Sequence, residues 1–254
     1  MRRVAWVTGA GRGIGRACAL ALSKEGFAVC ASARTVDEID AVARECRDAG
    51  VDAVAVPCDV TDRSAVERAR ARAAEALGPP DVLVNAAGVG RSAPFLKTTT
   101  EFLDLHLRLN LHGTFHCAQV ALPPMLARGW GRVVNVASVA GLEGGPYIAA
   151  YAASKHAVVG LTRSLAHELA GTGVTANAVC PGYVNTRMTD ENLEVMMRAT
   201  GRSRGELLER VLRGNPGGRL LEPEDVASVV LSCLGPGSDK TNGQALSVPP
   251  GGLA

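Results

Sequence analysis

Residues 3–24 read RVAWVTGAGRGIGRACALALSK, and this stretch decides the fold that the sequence predicts. Its first six residues are nearly all apolar and predict a short buried strand, and its last part has the apolar spacing of an amphipathic helix. Between them the glycines are spaced GxxxGxG, at Gly9, Gly13 and Gly15. A strand, a glycine turn and a helix in this order bind the pyrophosphate of a dinucleotide, although a tight turn that binds nothing has the same pattern. We expect Gly9, Gly13 and Ile14 to contact the pyrophosphate.

The same alternation of strand and helix continues along the chain. Short apolar runs predict further strands at 27–33, 52–56, 81–84, 130–136, 173–179 and 245–248. Helical spacing is found at 63–76, 101–126, 151–169 and 223–234. This order predicts an α/β fold, a doubly wound Rossmann-type sandwich whose seven-stranded, mostly parallel sheet has helices on both faces. We expect one domain over residues 1–254, with a helical excursion at 187–215 that serves as a substrate lid.

Composition excludes several classes of protein. With 254 residues, 47% of them hydrophobic and 20% charged, the chain is typical of a globular protein. Its net charge of +2 is spread along the sequence, so no nucleic-acid surface is expected. No apolar run reaches the length of about eighteen residues that a membrane span needs, and none resembles a signal peptide. The seven cysteines lack CxxC spacing, so we expect free thiols and no metal site. Free thiols are typical of a reducing compartment, so we expect a cytoplasmic location.

The segment YAASK, from Tyr151 to Lys155, carries the most informative polar pair. It begins a predicted helix, so residues four apart share one face and the Lys155 ammonium lies beside the Tyr151 phenol. A free phenol has a pKa of about 10, and a nearby cation lowers that pKa by favouring the phenolate. The pair is predicted to be an acid/base device for neutral pH, although an ordinary surface pair has the same spacing. Ser138 follows the strand predicted at 130–136 and is expected at the same edge of the sheet.

The end of the second predicted strand indicates which dinucleotide binds. An acidic residue there holds the ribose 2′-hydroxyl, whereas an arginine accommodates a 2′-phosphate. Here Ala33 takes the acidic position and Arg34 follows it. With Arg12 as a second guanidinium, the sequence favours NADP(H) over NAD(H), unless both arginines are merely solvated. Asp59, after the third strand, is expected to accept a hydrogen bond from the adenine amino group, next to Val60.

Small and polar residues stand at other predicted strand ends, where a doubly wound sheet binds its cofactor. The predicted crevice-lining residues are Asn85, Ala86, Gly88, Pro181 and Gly182. Asn110 lies within an apolar helical pattern, where a buried amide needs partners. It is either functional or a core asparagine bonded to a neighbouring carbonyl.

Five motifs in this order resemble those of the short-chain dehydrogenase/reductase family. They are TGAGRGIG from Thr8, NAAG from Asn85, the lone Ser138, YAASK from Tyr151 and PGYVNT from Pro181. The resemblance covers nearly the full length, and within the family the chain is most similar to ketoacyl reductases of fatty-acid and aromatic polyketide synthesis. It departs from the pattern at Ala86, where many relatives have a second asparagine, and in SVPPGG at 247–252, which puts a usual subunit contact in doubt.

The resemblance implies a role for each matching residue. Tyr151 would donate a proton to the carbonyl oxygen as hydride leaves the nicotinamide, and Ser138 would hydrogen-bond that oxygen. Lys155 would lower the pKa of the phenol and hold the nicotinamide ribose, while Asn110 would anchor a water that replenishes the proton. Val184 and Thr186 would hold the carboxamide. The family also implies a homo-oligomer, a tetramer.

We therefore predict an NADP(H)-dependent oxidoreductase for a small carbonyl or alcohol substrate. The favoured substrate is a 3-oxoacyl thioester on coenzyme A or acyl carrier protein, or a polyketide ketone. The arginines at 198–213 either meet such an anionic carrier or form a solvated helix face. The alternatives are a dehydrogenase of another secondary alcohol (a cyclic alcohol, a sugar, a steroid or a 3-hydroxyacyl-CoA) and, more remotely, a catalytically silent dinucleotide-binding module.

Overall fold

The computed structural model describes residues 2–252, and its centre is a single sheet. Seven strands lie side by side in the order β3-β2-β1-β4-β5-β6-β7, and every neighbouring pair is parallel. The strands are β1 (Val4–Thr8), β2 (Ala28–Ser32), β3 (Ala53–Ala55), β4 (Val82–Asn85), β5 (Gly131–Val136), β6 (Val174–Cys180) and β7 (Ala245–Ser247). The strand order reverses between β1 and β4, and that reversal is where such sheets bind ligands.

Nine α-helices surround this sheet in the described residues. They are α1 (Gly13–Lys24), α2 (Val36–Asp48), α3 (Arg63–Leu77), α4 (Thr100–His106), α5 (Gly113–Arg128), α6 (Ala149–Glu168), α7 (Arg187–Thr200), α8 (Arg204–Arg213) and α9 (Pro223–Ser232). Helix α2 was not predicted from the sequence. Its buried residues Ile39, Val42, Ala43 and Cys46 have the i, i+3, i+4, i+7 spacing that could have revealed it.

The residues of β1 show why both faces of the sheet are covered. All five are buried, and the three central residues alternate between two apolar layers. Ala5 and Val7 pack into the layer that contains residues of α1, α2 and α9. Trp6 points the other way, into the layer formed with α3 and α5. Continuous apolar strands with helices on both sides are typical of parallel sheets, so the predicted fold class is confirmed.

The long helical segment predicted at 101–126 is interrupted. It consists of α4, a π-helical stretch at Leu107–His112, and α5. The π-helical stretch contains Asn110, which is buried. Wide helical turns of this kind occur often at functional sites. No residue pattern in the sequence predicted the π-helical stretch.

The predicted excursion contains two helices that pack on each other. Leu193 of α7 forms a small buried cluster with Leu207 and Val211 of α8. The two ends of the excursion lie side by side, because Val184, before it, and Leu221, after it, form an isolated parallel bridge. In the described residues, no helix is both long and apolar enough to cross a membrane.

Candidate active site

A crevice lined by glycine lies at the carboxyl ends of β1 and β4. Gly9 has a φ of +66°, and a Cβ added there would lie 2.7 Å from the Ala87 backbone nitrogen. A Cβ added at Gly15 would lie 2.2 Å from the Gly9 carbonyl oxygen. A side chain therefore has no room at Gly9 or Gly15, so the turn can fold tightly only with glycine at these two positions. Across the crevice stands Thr186, whose Cγ2 would lie 3.2 Å from a Cβ at Gly13.

The turn fits the pyrophosphate of a dinucleotide. Helix α1 begins at Gly13, beside the half-buried Ile14, and no side chain of the preceding Arg12 caps it. The N–H groups of its first turn are thus available to an anion, and the helix dipole favours negative charge there. The open glycine backbone allows a phosphate to reach these groups.

Two of the residues predicted to bind the adenosine part of the cofactor, Arg34 and Asp59, follow the ends of β2 and β3. Burial pushes the pKa of Asp59 upward, but bonds from the Thr61 N–H and hydroxyl, together with the Arg34 charge, make the net pKa lower than usual. The carboxylate therefore stays ionised and can accept a hydrogen bond. Arg12 is not a simple solvated cation, because its guanidinium lies 3.7 Å from a carboxylate oxygen of Glu38.

A cavity of about 360 Å³ opens beside Arg34 and Asp59, toward α3. Arg68 and Arg72 also line it, and neither was singled out from the sequence. The cavity lies next to the predicted adenosine site, so these two guanidiniums add positive charge there.

Lys155 and Tyr151 lie together on α6, as their spacing predicted. The Lys155 Nζ lies 5.9 Å from the centroid of the Tyr151 ring. It is only 6% exposed and donates a hydrogen bond of 2.7 Å to the carbonyl oxygen of Val136, the last residue of β5. Burial lowers the pKa of Lys155 to about 8.

Ser138 follows the end of β5 and lies close to Tyr151. Its Oγ accepts a hydrogen bond from the Ala140 N–H at 3.1 Å. Burial raises the pKa of the Tyr151 phenol, and hydrogen bonding with Ser138 offsets part of that rise. The predicted lowering of the phenol's pKa by Lys155 is therefore not found. The physical reason is that removal of the phenolate from water outweighs nearby favourable interactions.

Asn110 forms hydrogen bonds to the backbone of Val89, close to Lys155. Its Oδ1 accepts from the Val89 N–H at 2.8 Å, and its Nδ2 donates to the Val89 oxygen and to Ser154 Oγ, both at 2.9 Å. The carbonyl-bonded alternative weighed from the sequence is therefore present. Gly88 adjoins both polar groups, since a Cβ there would lie 3.1 Å from Asn110 Oδ1 and 3.7 Å from Lys155 Nζ.

Asn85 and Ala86 end β4 at the crevice, but the Asn85 side chain does not line it as expected. Its Nδ2 donates to Asn135 Oδ1 at 2.9 Å inside the sheet. Its Oδ1 is buried without a hydrogen-bond partner among the described residues. Neighbouring strands both carry asparagine here, because Asn85 is paired in register with Asn135. The amide–amide contact follows from that register.

The end of β6 forms the far wall of the crevice. The Pro181 oxygen accepts a hydrogen bond from the Val139 N–H at 3.0 Å, which ties this wall, including Gly182, to the segment that carries Ser138. Thr186 precedes α7, and its hydroxyl lies 3.4 Å from the Val184 oxygen. On the adenosine side, Val60 is buried against Gly113, where an added Cβ would lie 2.6 Å from Val60 Cγ2.

Two further residues close to the phenol were missed by sequence reasoning. A Cβ added at Gly90 would lie 3.2 Å from Tyr151 Cε2 and 3.3 Å from Met188 Sδ. Gly90 belongs to an irregular segment after β4, and Met188 belongs to α7. Only tertiary structure brings them together, although the glycine two positions after the NAAG motif was a weak signal.

Comparison with known proteins agrees with this geometry. A family model described as short chain dehydrogenase matches residues 3–196. The chain is 41% identical over 248 residues to a Streptomyces coelicolor protein provisionally named a ketoacyl reductase, covering 96% of this chain and 95% of that protein. It is 36% identical over 249 residues to a 3-oxoacyl-[acyl-carrier-protein] reductase of Staphylococcus aureus, covering 98% and 97%. A solved structure of a variant of actinorhodin polyketide ketoreductase with NADPH superposes with a TM-score of 0.93 at 40% identity, covering 98% of this chain and 97% of that chain.

The fold and the site define the class as an NAD(P)-dependent oxidoreductase of carbonyl and CH–OH groups. The glycine-rich crevice at the strand reversal suits a dinucleotide, and the tyrosine–lysine pair beside it suits proton transfer. The chain belongs to the short-chain dehydrogenase/reductase family. The family predicted from the five motifs is therefore confirmed.

Proposed function

We propose that this chain is an NADPH-dependent reductase of 3-oxoacyl thioesters or of a polyketide ketone. The observation that carries the proposal is the position of Tyr151, between Ser138 and Lys155 and beside the glycine crevice. The names of the S. aureus relative and of the ketoreductase structure support the substrate class. When bound, the nicotinamide would supply hydride to the carbonyl carbon.

The proposed proton donor is Tyr151. Because burial raises the pKa of its phenol, the hydroxyl holds its proton at neutral pH and can give it to a developing alkoxide. Ser138 is proposed to hydrogen-bond the same oxygen. Lys155 is proposed to hold the ribose hydroxyls, and its pKa of about 8 lets it exchange a proton near neutral pH. Asn110 is proposed to place Val89 and Gly88 against Lys155 and to anchor a water on the proton path.

The remaining predicted residues are proposed to hold the cofactor. Gly9, Gly13 and Ile14 would bind the pyrophosphate, and Val184 and Thr186 the carboxamide. Other contacts are proposed for Asp59, Val60, Ala86, Gly88, Pro181 and Gly182, and at Asn85 for the backbone alone, because its side chain bonds to Asn135.

We also propose a preference for NADP(H) over NAD(H). The support is Arg34, which lines a cavity together with Arg68 and Arg72, and the NADPH in the similar solved structure. Replacing Arg34→Ala is expected to raise KM for NADPH about tenfold and to leave KM for NADH nearly unchanged, because one charge-assisted bond to phosphate is lost. Equal effects on both cofactors would overturn the preference.

The segment 187–215 is proposed to be a substrate lid on a single domain. It reaches the site through Asn192, whose Nδ2 donates to the Gly90 oxygen at 2.7 Å, and through Met188. Arg204 pairs with Asp190 and Arg213 lies near Glu209, so both charges are partly balanced within the segment. Contact with an anionic carrier would therefore depend on the other arginines in this region.

Two further expectations remain proposals. We propose a homotetramer, on the family resemblance. We propose a cytoplasmic location, because all seven cysteines are buried and free, which is typical of a reducing compartment.

A substrate panel tests the proposed function. The purified protein would be assayed by NADPH absorbance with acetoacetyl-CoA, with a bicyclic ketone, and in reverse with secondary alcohols and NADP⁺ or NAD⁺. Reduction of the thioester or the bicyclic ketone is expected. Fast oxidation of a cyclic alcohol, sugar or steroid without turnover of either ketone would favour the alternative dehydrogenase. NADPH binding with no turnover of any substrate would favour a silent binding module.

A further inference from the structure

The irregular segment 88–93, which we call the wall segment, approaches the Tyr151 ring at Gly90. It reads GVGRSA and follows β4. Gly90 is its point of contact, because a Cβ there would lie 3.2 Å from Tyr151 Cε2. The position of the wall segment therefore limits the space beside the phenol that a substrate can use.

Side chains from three different elements hold the backbone of the wall segment. Asn110 bonds both backbone groups of Val89, and Asn192 of α7 donates to the Gly90 oxygen. The third is His106, whose Nε2 accepts a hydrogen bond of 3.1 Å from the Arg91 N–H. The Ala93 N–H also donates a hydrogen bond of 2.8 Å to the Tyr147 oxygen at the end of the segment, and the three side chains hold the part that faces Tyr151.

His106 is fully buried, and its partners determine its tautomer. The Arg91 N–H can only donate, so Nε2 must carry a lone pair. The Phe102 carbonyl oxygen, 2.8 Å from Nδ1, can only accept, so Nδ1 must carry the proton. A second proton on Nε2 would face the Arg91 N–H and break the bond. Only the neutral imidazole with its proton on Nδ1 fits this position.

The surroundings of His106 favour the neutral ring. Burial lowers its pKa, and the positive charge of Arg91 lowers it further, outweighing the bond to the Phe102 oxygen. The Tyr151 ring lies edge-on to the imidazole, with the ring centroids 6.3 Å apart. His106 thus touches the wall segment on one side and faces the proposed proton donor on the other.

We propose that His106 is a positioning residue of this active site, fixing the wall segment, and with it the width of the pocket beside Tyr151, through its neutral Nδ1–H tautomer. Its kinetic consequence rests on the proposed function, whereas its structural content does not. The residues proposed for chemistry have their own supports, because Tyr151 and Lys155 lie on α6 and Ser138 follows β5. Loss of the His106 bond should therefore weaken substrate binding more than the chemical step.

The first test needs no activity. Nitrogen-detected NMR of selectively ¹⁵N-labelled histidine in the full-length protein at neutral pH reports which ring nitrogen carries a proton. His116 and His156 also place Nδ1 near a carbonyl oxygen, so the His106 signal is identified as the one that vanishes in His106→Gln and persists in His112→Gln. That signal is expected to show a protonated Nδ1 and a bare Nε2. A His106 signal with a protonated Nε2, alone or as an imidazolium, would overturn the proposal and leave the proposed function standing.

The second test is kinetic. His106→Leu is expected to raise KM for acetoacetyl-CoA about tenfold, as one buried hydrogen bond is lost, with kcat changed less than about threefold. His106→Gln keeps a group that can accept from Arg91, so it should recover most of the affinity. The exposed His112 belongs to the adjoining π-helical stretch, and His112→Gln should leave both constants unchanged.

Wild-type KM in both His106 variants, or a fall in kcat with KM unchanged, would contradict the positioning role. If His106→Leu does not fold, the NMR signal still tests the proposal, because it needs only the wild type and His106→Gln. No turnover by the wild type, with the expected tautomer present, would count against the proposed function instead.

Discussion

The Lys155 ammonium donates a hydrogen bond of 2.7 Å to the Val136 carbonyl oxygen, and this bond joins α6 to the end of β5. It places a buried charge where Tyr151 and Ser138 also meet. Burial lowers the pKa of Lys155 from 10.5 to about 8, so the charged form is costly in the folded state. A site of this kind gives up stability to hold a functional cation.

Replacing Lys155→Met is expected to stabilise the protein at neutral pH. Below pH 8 the lysine is protonated in both folded and unfolded chains, so the full cost of the buried charge is present. Between 8 and 10.5 only the unfolded chain keeps the proton, and the cost decreases as pH rises. The variant should exceed the wild type in free energy of unfolding by about 1–3 kcal/mol at pH 7, with a smaller gap near pH 10.

Urea unfolding at both pH values measures this gap. The exposed Lys24 is the matched control, and Lys24→Met should show no such gap. A Lys155→Met variant less stable than the wild type at pH 7, or a gap that is constant with pH, would contradict the interpretation. Turnover of this variant should be lost in either case, because the proposed ribose contact is removed.

Replacing Gly90→Ala is expected to narrow the pocket. Its new methyl group would lie 3.2 Å from Tyr151 and 3.3 Å from the Met188 sulfur, closer than ordinary van der Waals contact. We expect KM for a bicyclic ketone to rise about tenfold, an effect of the size seen for overpacking, and KM for acetoacetyl-CoA to rise less. Met188→Ala should restore part of the loss in the double variant. An unchanged ratio between the two substrates would show that Gly90 does not limit the pocket.

Replacing Glu38→Gln is expected to improve use of NADPH. The Glu38 carboxylate lies 3.7 Å from the Arg12 guanidinium and competes with a 2′-phosphate for it. Exposed ion pairs are worth up to about 1 kcal/mol, so KM for NADPH should fall about two- to fivefold while KM for NADH stays constant. Glu45→Gln, which removes a pair with Arg16 from the same helix, is the control. A fall in KM for both cofactors alike would count against a role for Arg12 at the 2′-phosphate.

Much of the fold and site followed from short-range patterns. Local geometry determines the glycine turn of residues 9–15 and the position of Tyr151 relative to Lys155. Such geometry can be predicted from the spacing of residues in the sequence. The seven strands were readable as apolar runs, and their ends placed Ser138 and Asp59 at one edge of the sheet. Fold class and family are confirmed because these signals agree with one another.

The rest depends on contacts between distant parts of the chain. His106 and Arg91, Asn192 and Gly90, and Asn85 and Asn135 meet only once the sheet and helices have packed. The pKa of Tyr151 was assigned the wrong direction for the same reason. Spacing on a helix shows that a cation is near, but it does not show how deeply the phenol is buried.

The proposed function depends above all on the Tyr151 hydroxyl, which is proposed to supply the proton in the reaction. The most direct measurement is kcat of Tyr151→Phe with NADPH and whichever ketone the wild type reduces, alongside NADPH affinity and thermal unfolding. The exposed Tyr147 provides the control variant Tyr147→Phe. We predict that Tyr151→Phe lowers kcat by about 10²–10⁴-fold with NADPH binding and folding intact. A Tyr151→Phe variant that folds, binds NADPH and reduces the ketone at the wild-type rate would contradict the account.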